Sequence, residues 1–145
     1  MTAANPDYAE HVTAAVLTMP AAKHLGFTFG RLAPGEAEII QPYRAELTEH
    51  NGYFQGGVLG SLADFAGGSA AGTLLPPGWV NMTVDYTVKI VAPAHGDQIV
   101  ARGRVVRAGH STTVAAADVF AVTGAEEALC ATALVTLRNM KIPRD

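Results

Sequence analysis

Apolar and polar residues alternate along most of the second half of the chain, which is the pattern of strands with one buried face. Four such stretches are rich in β-branched residues and are separated by turns that contain glycine or proline. They span residues 79–94, 97–109, 111–124 and 128–140. An earlier alternating stretch, residues 25–43, is divided by Pro34 and Gly35, which predicts a hairpin. The pattern predicts about six strands, the last four forming an antiparallel meander.

Two stretches carry apolar residues at intervals of three and four, the period of one helical face. The shorter one, residues 7–18, follows Pro6 and predicts a short N-terminal helix that caps the core. The longer one, residues 57–73, predicts a central helix that ends at Leu-Leu-Pro-Pro-Gly, because proline cannot continue the hydrogen-bond ladder. One long helix beside an antiparallel sheet predicts a single α+β domain, residues 1–145, in which the sheet wraps around the helix.

The central helix is unusual because its interior contains Gly60, Gly67 and Gly68. Each interior glycine costs a helix about 1 kcal/mol relative to alanine, or roughly 3 kcal/mol for the three. Close packing of small residues against a sheet or a partner helix is one explanation. Another concerns Asp64, which the helical period places on a face of small residues. This small-residue face consists of Gly57, Gly60, Ser61, Asp64, Gly68 and Ala71.

Asp64 is a candidate catalytic carboxylate. Residues 45–88 include no lysine or arginine, so no nearby cation in the sequence neutralises it. Such an aspartate either faces water on an exposed helix side or is held in a cleft for a function. At the helix start, Gln55, Gly56 and Gly57 supply N–H groups without intrahelical partners. Asp64 lies two turns further along and is expected to point into the same neighbourhood, which would give the two halves of an acyl-transfer site.

Composition argues against several other classes of function. The chain has 16% charged residues and a formal net charge of -3, which does not suit a nucleic-acid-binding protein. Cys130 is the only cysteine, so an internal disulfide is excluded and a reducing, cytoplasmic location is expected. The histidines show no metal-ligand spacing, and no stretch is long enough to cross a bilayer. The sequence contains no serine-hydrolase elbow, P-loop or dinucleotide-binding fingerprint.

Two segments together resemble a known family. Residues 51–74 read NGYFQGGVLGSLADFAGGSAAGTL, and residues 82–111 read MTVDYTVKIVAPAHGDQIVARGRVVRAGHS. They contain a Gly-x-x-Gln-Gly-Gly loop, an acid eight residues after the first glycine of that pair, and a strand with a hydroxyl residue before an Ala-Pro-Ala turn. This set resembles the phenylacetate-degradation (PaaI-like) branch of the hotdog-fold acyl-CoA thioesterases, over roughly residues 25–140.

The resemblance implies a role for each matching position. It implies that the Gly56 N–H holds the thioester carbonyl oxygen, that Asp64 attacks the carbonyl or activates water, and that Thr83 helps to place the water or the acid. Gln55 stands where the family often has histidine, and its amide can still orient the loop. Glu49 stands where relatives carry asparagine or glutamine, so it is a further candidate catalytic residue. Two acids near one site would raise each other's pKa.

Further residues are candidates for substrate binding. The resemblance places a coenzyme A phosphate or pantetheine arm near Arg107 and His110, which would otherwise be ordinary surface residues. Tyr53, Phe54 and Trp79 flank the proposed pocket and would accept an aromatic or medium acyl group, or else belong to the core. The remaining candidates come from the loop and the helix: His50, Asn51, Gln55, Gly57 and Gly68.

The resemblance also implies how the site is assembled. Hotdog proteins pair their sheets edge to edge in homodimers, often stacked into homotetramers, so Gly56 and Asp64 would come from opposite chains. The expected protein is an acyl-CoA thioesterase that uses no metal or redox cofactor, with coenzyme A only as part of its substrate. The alternative is a non-catalytic acyl-CoA-binding module, for which Glu49 and Gln55 are the motivating departures. Neither hypothesis involves nucleic acid or a membrane.

Overall fold

Six strands and three α-helices make up most of the computed structural model, which describes residues 1–143. The helices are α1 (Tyr8–Leu17), α2 (Pro20–Leu25) and α3 (Gly56–Gly72), and a short 3₁₀ helix covers Ala45–Leu47. The strands are β1 (Thr28–Ala33), β2 (Glu36–Pro42), β3 (Trp79–Ile90), β4 (Gln98–Ala108), β5 (Thr112–Thr123) and β6 (Glu126–Lys141). The predicted α+β arrangement, a sheet around one long helix, is confirmed.

The strand order in the sheet is β1-β2-β4-β5-β6-β3, and all neighbours are antiparallel. The predicted hairpin of β1 and β2 and the run β4-β5-β6 are confirmed. The predicted meander is wrong for β3, which pairs with β6 at the edge of the sheet. In the connection after β3, the Val91 N–H donates to the Cys130 carbonyl (2.9 Å) and the Asp97 N–H donates to the Val122 carbonyl (2.8 Å). The connection therefore crosses the ends of β6 and β5 before β4 begins.

Small residues allow α3 to lie directly on the sheet. A Cβ on Gly103 of β4 would collide with the carbonyl oxygen of Ala66, so only glycine fits beneath this turn of the helix. A Cβ on Gly67 would lie 3.0 Å from Cγ2 of Val135 on β6. Close packing therefore explains Gly67, and the resulting burial offsets the low helix propensity of glycine.

α3 begins and ends one residue earlier than predicted. At its start, Gln55 is the N-cap, and its Oε1 accepts a hydrogen bond from the Val58 N–H (3.1 Å). At its end, the Thr73 hydroxyl donates to the Ala70 carbonyl (2.7 Å) and accepts from the Gly35 N–H (2.8 Å). The helix thus ends before Pro76 and Pro77, within one residue of the predicted end, and Thr73 ties this end to the turn between β1 and β2.

α1 covers one end of α3, as predicted for the N-terminal helix. Val12 and Val16 are buried, and a Cβ on Gly72 would lie 3.3 Å from Cγ2 of Val12. The sequence does not predict α2, because six residues are too few to display a helical period. This helix begins at Pro20 and is followed by Gly26, whose φ of 82° lies in the left-handed region that ends many helices.

Candidate active site

Asp64 is half-buried on α3 and faces the edge strand β3. Its Oδ1 accepts a hydrogen bond from the Thr83 hydroxyl (2.7 Å). Burial raises the pKa of Asp64 above its ordinary value of 3.8, and the Thr83 hydrogen bond opposes part of that rise. Within residues 1–143, no basic side chain forms an ion pair with Asp64. The carboxylate is therefore partly desolvated without being neutralised by a cation.

One side of β3 follows the small-residue face of α3. A bulge between Thr83 and Asp85 shifts the alternation of the strand, so that Thr83 and Tyr86 both face the helix. The contacts occur in order along the two elements. They join Asn81 to Gly68, Thr83 to Asp64, Tyr86 to Gly60 and Ile90 to Gly56. The sheet edge thus lines the helix face that carries Asp64.

Asn81 and Tyr86 contact α3 one turn to either side of Asp64, at Gly68 and Gly60, and the sequence does not predict them. Strict alternation from Thr83 would place residue 85 on the helix side and residue 86 on the opposite side. The bulge reverses this order, and no turn residue or glycine marks it in the sequence. Asn81 alternates normally with Thr83 and is identified by the position of β3 beside α3, whereas Tyr86 is identified only when the bulge is known as well.

The N-terminus of α3 presents two N–H groups that bond to no other group in the described part of the chain. They belong to Gly56 and Gly57, whereas the Val58 N–H is bonded to the carbonyl oxygen (3.0 Å) and the side chain (3.1 Å) of Gln55. Gly56 lies beside Ile90, whose Cδ1 would be 2.8 Å from a Cβ at position 56. The absence of side-chain bulk lets an oxygen atom approach these N–H groups closely.

A pocket of about 440 Å³ opens beside Gly56. The loop that carries Glu49, Tyr53 and Phe54 forms one wall, and residues 90–94 form another. The predicted positions of Tyr53 and Phe54 beside the pocket agree with this arrangement. The free N–H of Gly56 and the mainly apolar walls suit a carbonyl group attached to an apolar chain.

Glu49 organises the loop in front of this pocket. Its carboxylate accepts hydrogen bonds from the N–H (2.7 Å) and the Nδ2 (2.9 Å) of Asn51 and from the Tyr53 N–H (3.0 Å). These hydrogen bonds, the one from Tyr53 above all, lower the pKa of Glu49. The shift is opposite to the rise expected if Glu49 and Asp64 were close together. Within one protomer, the expectation that the two acids raise each other's pKa is wrong.

The two halves of the predicted site are separated within one protomer. Gly56 and Asp64 are eight residues apart on one helix, which corresponds to about 12 Å along its axis. A reacting carbonyl group must lie about 3 Å from both the attacking atom and the N–H donor. Asp64 also does not line the pocket beside Gly56. Contrary to the expectation from the sequence, one chain does not bring both groups into the same neighbourhood.

Most of the candidate substrate-binding residues lie near the start of α3. They are His50, Asn51, Gln55 and Gly57, all exposed. Gly68 is further along the helix, where its carbonyl accepts a hydrogen bond from Nδ2 of Asn81 (3.0 Å). A Cβ on Gly68 would lie 3.3 Å from Cδ2 of Leu137, so little space remains at this position for a substrate.

Arg107 and His110 lie beyond the opposite end of α3. Both are exposed, and the ring centroids of His110 and Trp79 are 5.6 Å apart. These two rings border a cavity of about 250 Å³ that Leu74 also lines. Trp79 therefore does not flank the same pocket as Tyr53, contrary to the sequence prediction, because the two aromatic side chains are at opposite ends of the helix.

Other reactive groups in residues 1–143 are placed for packing. The Cys130 thiol is fully buried and donates to the Val119 carbonyl (3.2 Å), and burial raises its pKa to about 11. No cluster of three His, Cys, Asp or Glu side chains in this range is arranged to hold a metal ion. None of the helices described above is long and apolar enough to cross a membrane.

Comparison with known proteins identifies the family. The model of the thioesterase superfamily matches residues 51–128, which include the loop before α3, the helix itself and strands β3 to β5. A Halobacterium salinarum protein, whose name assigns it provisionally to the esterases, is 38% identical over 109 residues, covering 72% of this chain and 70% of that protein. The chain belongs to the thioesterase superfamily and is a thioester hydrolase.

Solved structures give the same result for the fold. A thioesterase family protein from Silicibacter pomeroyi is 32% identical, with a TM-score of 0.89 over 92% of this chain and 98% of that chain. The Escherichia coli PaaI protein from the phenylacetic acid degradation operon is 20% identical, with a TM-score of 0.83 over 97% of this chain and 100% of that chain. These similarities confirm the hotdog thioesterase fold that the sequence resemblance implies.

Proposed function

We propose that the protein hydrolyses an acyl-CoA thioester to a free carboxylic acid and coenzyme A, at a site formed by Asp64 of one protomer and the Gly56 N–H of another. The distribution of groups on α3 is the observation that supports this most directly. It combines a partly desolvated carboxylate with unbonded N–H groups about 12 Å away along the helix. Two antiparallel copies of α3 bring each Asp64 close to the other chain's Gly56.

The Gly56 N–H stabilises the negative charge that develops on the thioester oxygen. During attack the carbonyl carbon becomes tetrahedral, and its oxygen gains charge that a fixed N–H donor stabilises more in the transition state than in the ground state. Removal of one such donor typically costs about 10²–10³ in kcat. The adjacent Gly57 N–H is available to the same oxygen.

Asp64 supplies the negative charge that drives the attack, by one of two routes. As a general base, it takes a proton from water while the water oxygen bonds to the carbonyl carbon, and the coenzyme A thiolate then leaves. As a nucleophile, it bonds to the carbon itself and expels the thiolate, and water then cleaves the resulting anhydride. In both routes the Thr83 hydroxyl donates a hydrogen bond to Asp64, so its oxygen remains an acceptor that can orient a water molecule.

The exposed edge of the sheet supports a homodimer. β3 has 12 residues and no partner on its outer side within residues 1–143. Several of its large apolar side chains, or those just after it, are exposed: Met82, Val84, Tyr86, Ile90 and Val91. Long apolar edge strands aggregate unless another chain covers them. Antiparallel pairing of β3 with its copy covers this edge, and stacking of two such dimers would give the homotetramer implied by the resemblance.

The remaining assignments follow from this assembly. Gln55, Gly57, His50 and Asn51 border the thioester end of the site, and Glu49 fixes their loop. On the resemblance alone, we assign Arg107 and His110 to the coenzyme A moiety. The proposed reaction uses no metal or redox cofactor, because a carboxylate and backbone N–H groups supply the charges it needs. A cytoplasmic location suits both a coenzyme A substrate and a single buried cysteine.

The variant Asp64→Asn tests the proposal. Asparagine keeps the size of the side chain and an acceptor for Thr83, but it is neither a base nor a carboxylate nucleophile. We expect kcat/KM for a panel of acyl-CoA substrates to fall by about 10³ or more. The control Asp97→Asn, in an exposed turn, is expected to retain wild-type rates. Rates near wild type in Asp64→Asn would refute the catalytic role, and tight binding without turnover by the wild type would favour a binding module.

A further inference from the structure

Tyr86 covers the midpoint of the helix face between Gly56 and Asp64. A Cβ on Gly60 would lie 3.5 Å from Cε2 and 3.6 Å from the hydroxyl oxygen of Tyr86, so the ring is in van der Waals contact with the helix. Tyr86 is nevertheless 44% exposed. A large aromatic side chain, in contact with α3 and still accessible, therefore lies between the two proposed catalytic groups.

The same helix face is closed on the other side of Asp64. Asn81 Nδ2 is bonded to the Gly68 carbonyl (3.0 Å), and Leu137 packs against Gly68. An acyl group whose carbonyl lies at Asp64 cannot extend toward the C-terminal end of α3 without displacing these groups. The other direction along this face leads to Gly60, where the Tyr86 and Val88 side chains lie.

Twofold symmetry places Tyr86 between the two sites of a dimer. If Gly56 of each chain meets Asp64 of the other, the axis passes midway between these positions, at Gly60. On β3, Ile90 lies beside Gly56 and Thr83 lies beside Asp64, so the midpoint of this segment falls between Tyr86 and residue 87. Both estimates place the Tyr86 side chains of the two protomers next to the axis, between the two thioester carbonyls.

We propose that Tyr86 is a specificity-determining residue whose ring forms the end wall of the acyl pocket and limits the length of the acyl group. The inference rests on the proposed function, because it assumes a site shared by two protomers. The two Tyr86 rings then separate the two pockets of the dimer, and each pocket ends at the axis. The wild-type protein is expected to prefer short or aromatic acyl groups to long aliphatic ones.

A series of straight-chain acyl-CoA substrates from acetyl to dodecanoyl tests this inference. The measured quantity is the ratio of kcat/KM for long to short acyl groups, which does not depend on the absolute rate. Tyr86→Ala is expected to raise this ratio at least about tenfold, since each added methylene gains contacts in the enlarged pocket. Tyr86→Phe keeps the ring and is expected to keep the ratio, as is Thr87→Ala on the opposite face of the strand.

An unchanged ratio in Tyr86→Ala would overturn the inference. A rise of the ratio in Tyr86→Phe as large as that in Tyr86→Ala would also overturn it, because the hydroxyl group and not the ring would then select the acyl length. Light scattering and circular dichroism check that each variant is a folded dimer. If Tyr86→Ala is not a folded dimer, Tyr86→Leu is used in its place and is judged by the same ratio of kcat/KM values. Asp64→Asn separates the two hypotheses: an active Asp64→Asn refutes the proposed function, whereas an inactive one with an unchanged ratio in Tyr86→Ala refutes only the role of Tyr86.

Discussion

Asp64 combines two properties that a purely structural carboxylate usually avoids. It is partly buried, which destabilises its charged form, and within residues 1–143 it has no cationic partner. The hydrogen bond from Thr83 offsets only part of the desolvation. A carboxylate that is weakly solvated and raised in pKa is a better base than one in water, so the cost of burial has a chemical use.

Thr83→Val tests how Thr83 acts on Asp64. The substitution removes the hydroxyl group that donates to the carboxylate while nearly keeping the side-chain volume. That hydrogen bond favours the charged form, so its loss raises the pKa of Asp64 further. Activity requires ionised Asp64, so the acidic limb of the kcat/KM profile, where the rate falls with decreasing pH, moves to higher pH. Thr83→Ser keeps the donor and should keep the wild-type limb.

An acidic limb that stays in place in Thr83→Val, or that moves equally in Thr83→Ser, would show that the hydroxyl does not tune the carboxylate.

Among single residues, the sequence indicates the chemistry of Asp64 and Gly56 through charge, spacing and missing side-chain bulk. It does not reveal Asn81 and Tyr86. The orientation of Tyr86 depends on a bulge in β3 that has no signature among the residues around it, and the role of Asn81 is evident only once β3 is placed beside α3.

Among the secondary-structure elements, α3 depends on its close approach to β4. Gly103 lies directly beneath Ala66, where any side chain would overlap the helix backbone. This contact fixes the depth at which α3 lies in the sheet, and with it the positions of Asp64 and Gly56 relative to β3. A glycine within a strand usually weakens that strand, and here it makes room for the helix.

Gly103→Ala is expected to destabilise the protein by about 3 kcal/mol, because the new methyl group must displace the backbone of α3. Chemical denaturation measures the change. Gly30→Ala on β1 is the matched control, since the atoms nearest to its new methyl group belong to the ends of the Glu38 and Ile40 side chains and not to the backbone. Its cost should stay below about 1 kcal/mol. Similar losses in both variants would mean that the approach of helix to strand is not the limiting contact.

The strands themselves are predictable from the sequence, but the position of β3 is not. Alternation and β-branched residues mark all six strands within a few residues of their observed bounds. Alternation does not say which strand a given strand pairs with. β3 lies beyond β6 because residues 91–97 cross the end of the sheet, and a connection of this length suits either a neighbour or a crossover.

At the scale of the whole molecule, one protomer is an incomplete enzyme in this account. Its carboxylate and its free N–H groups are too far apart for one thioester, and the strand with the most exposed large apolar side chains in residues 1–143 is at an open edge. In the proposed dimer, pairing of two β3 strands would cover this edge and would complete both sites. The sequence contains both halves of the site, but the separation that requires a partner becomes evident only when the two residues are placed on one continuous helix.

Val84→Glu tests the proposed interface. Val84 is 59% exposed at the bulge of β3, and a charge there would be buried against the partner chain. We expect light scattering to give the mass of a monomer, and hydrolysis to fall by about 100-fold or more, although Asp64 and Gly56 are unchanged. Val106→Glu is the control, because Val106 is 57% exposed at a bulge of the internal strand β4. A dimeric, active Val84→Glu variant would exclude this edge as the interface.

The central claim, that each site uses Asp64 from one chain and Gly56 from the other, is tested by combining two inactive variants. Asp64→Asn removes the carboxylate. Gly56→Pro removes the N–H, and Ile90→Ala makes space for the proline ring. Proline is tolerated here because position 56 is the first of the helix and the preceding Gln55 has a ψ of 142°. Gly56→Ala with Ile90→Ala keeps the N–H and serves as the control.

The two variants are co-expressed with different tags, and the mixed dimer is purified through both tags before hydrolysis is measured. If the groups come from opposite chains, each mixed dimer has one intact site and one site with both lesions, so it should recover roughly half of the wild-type activity. If both groups act within one chain, each site in the mixed dimer carries a lesion. Activity no higher than that of either parent variant would contradict the account.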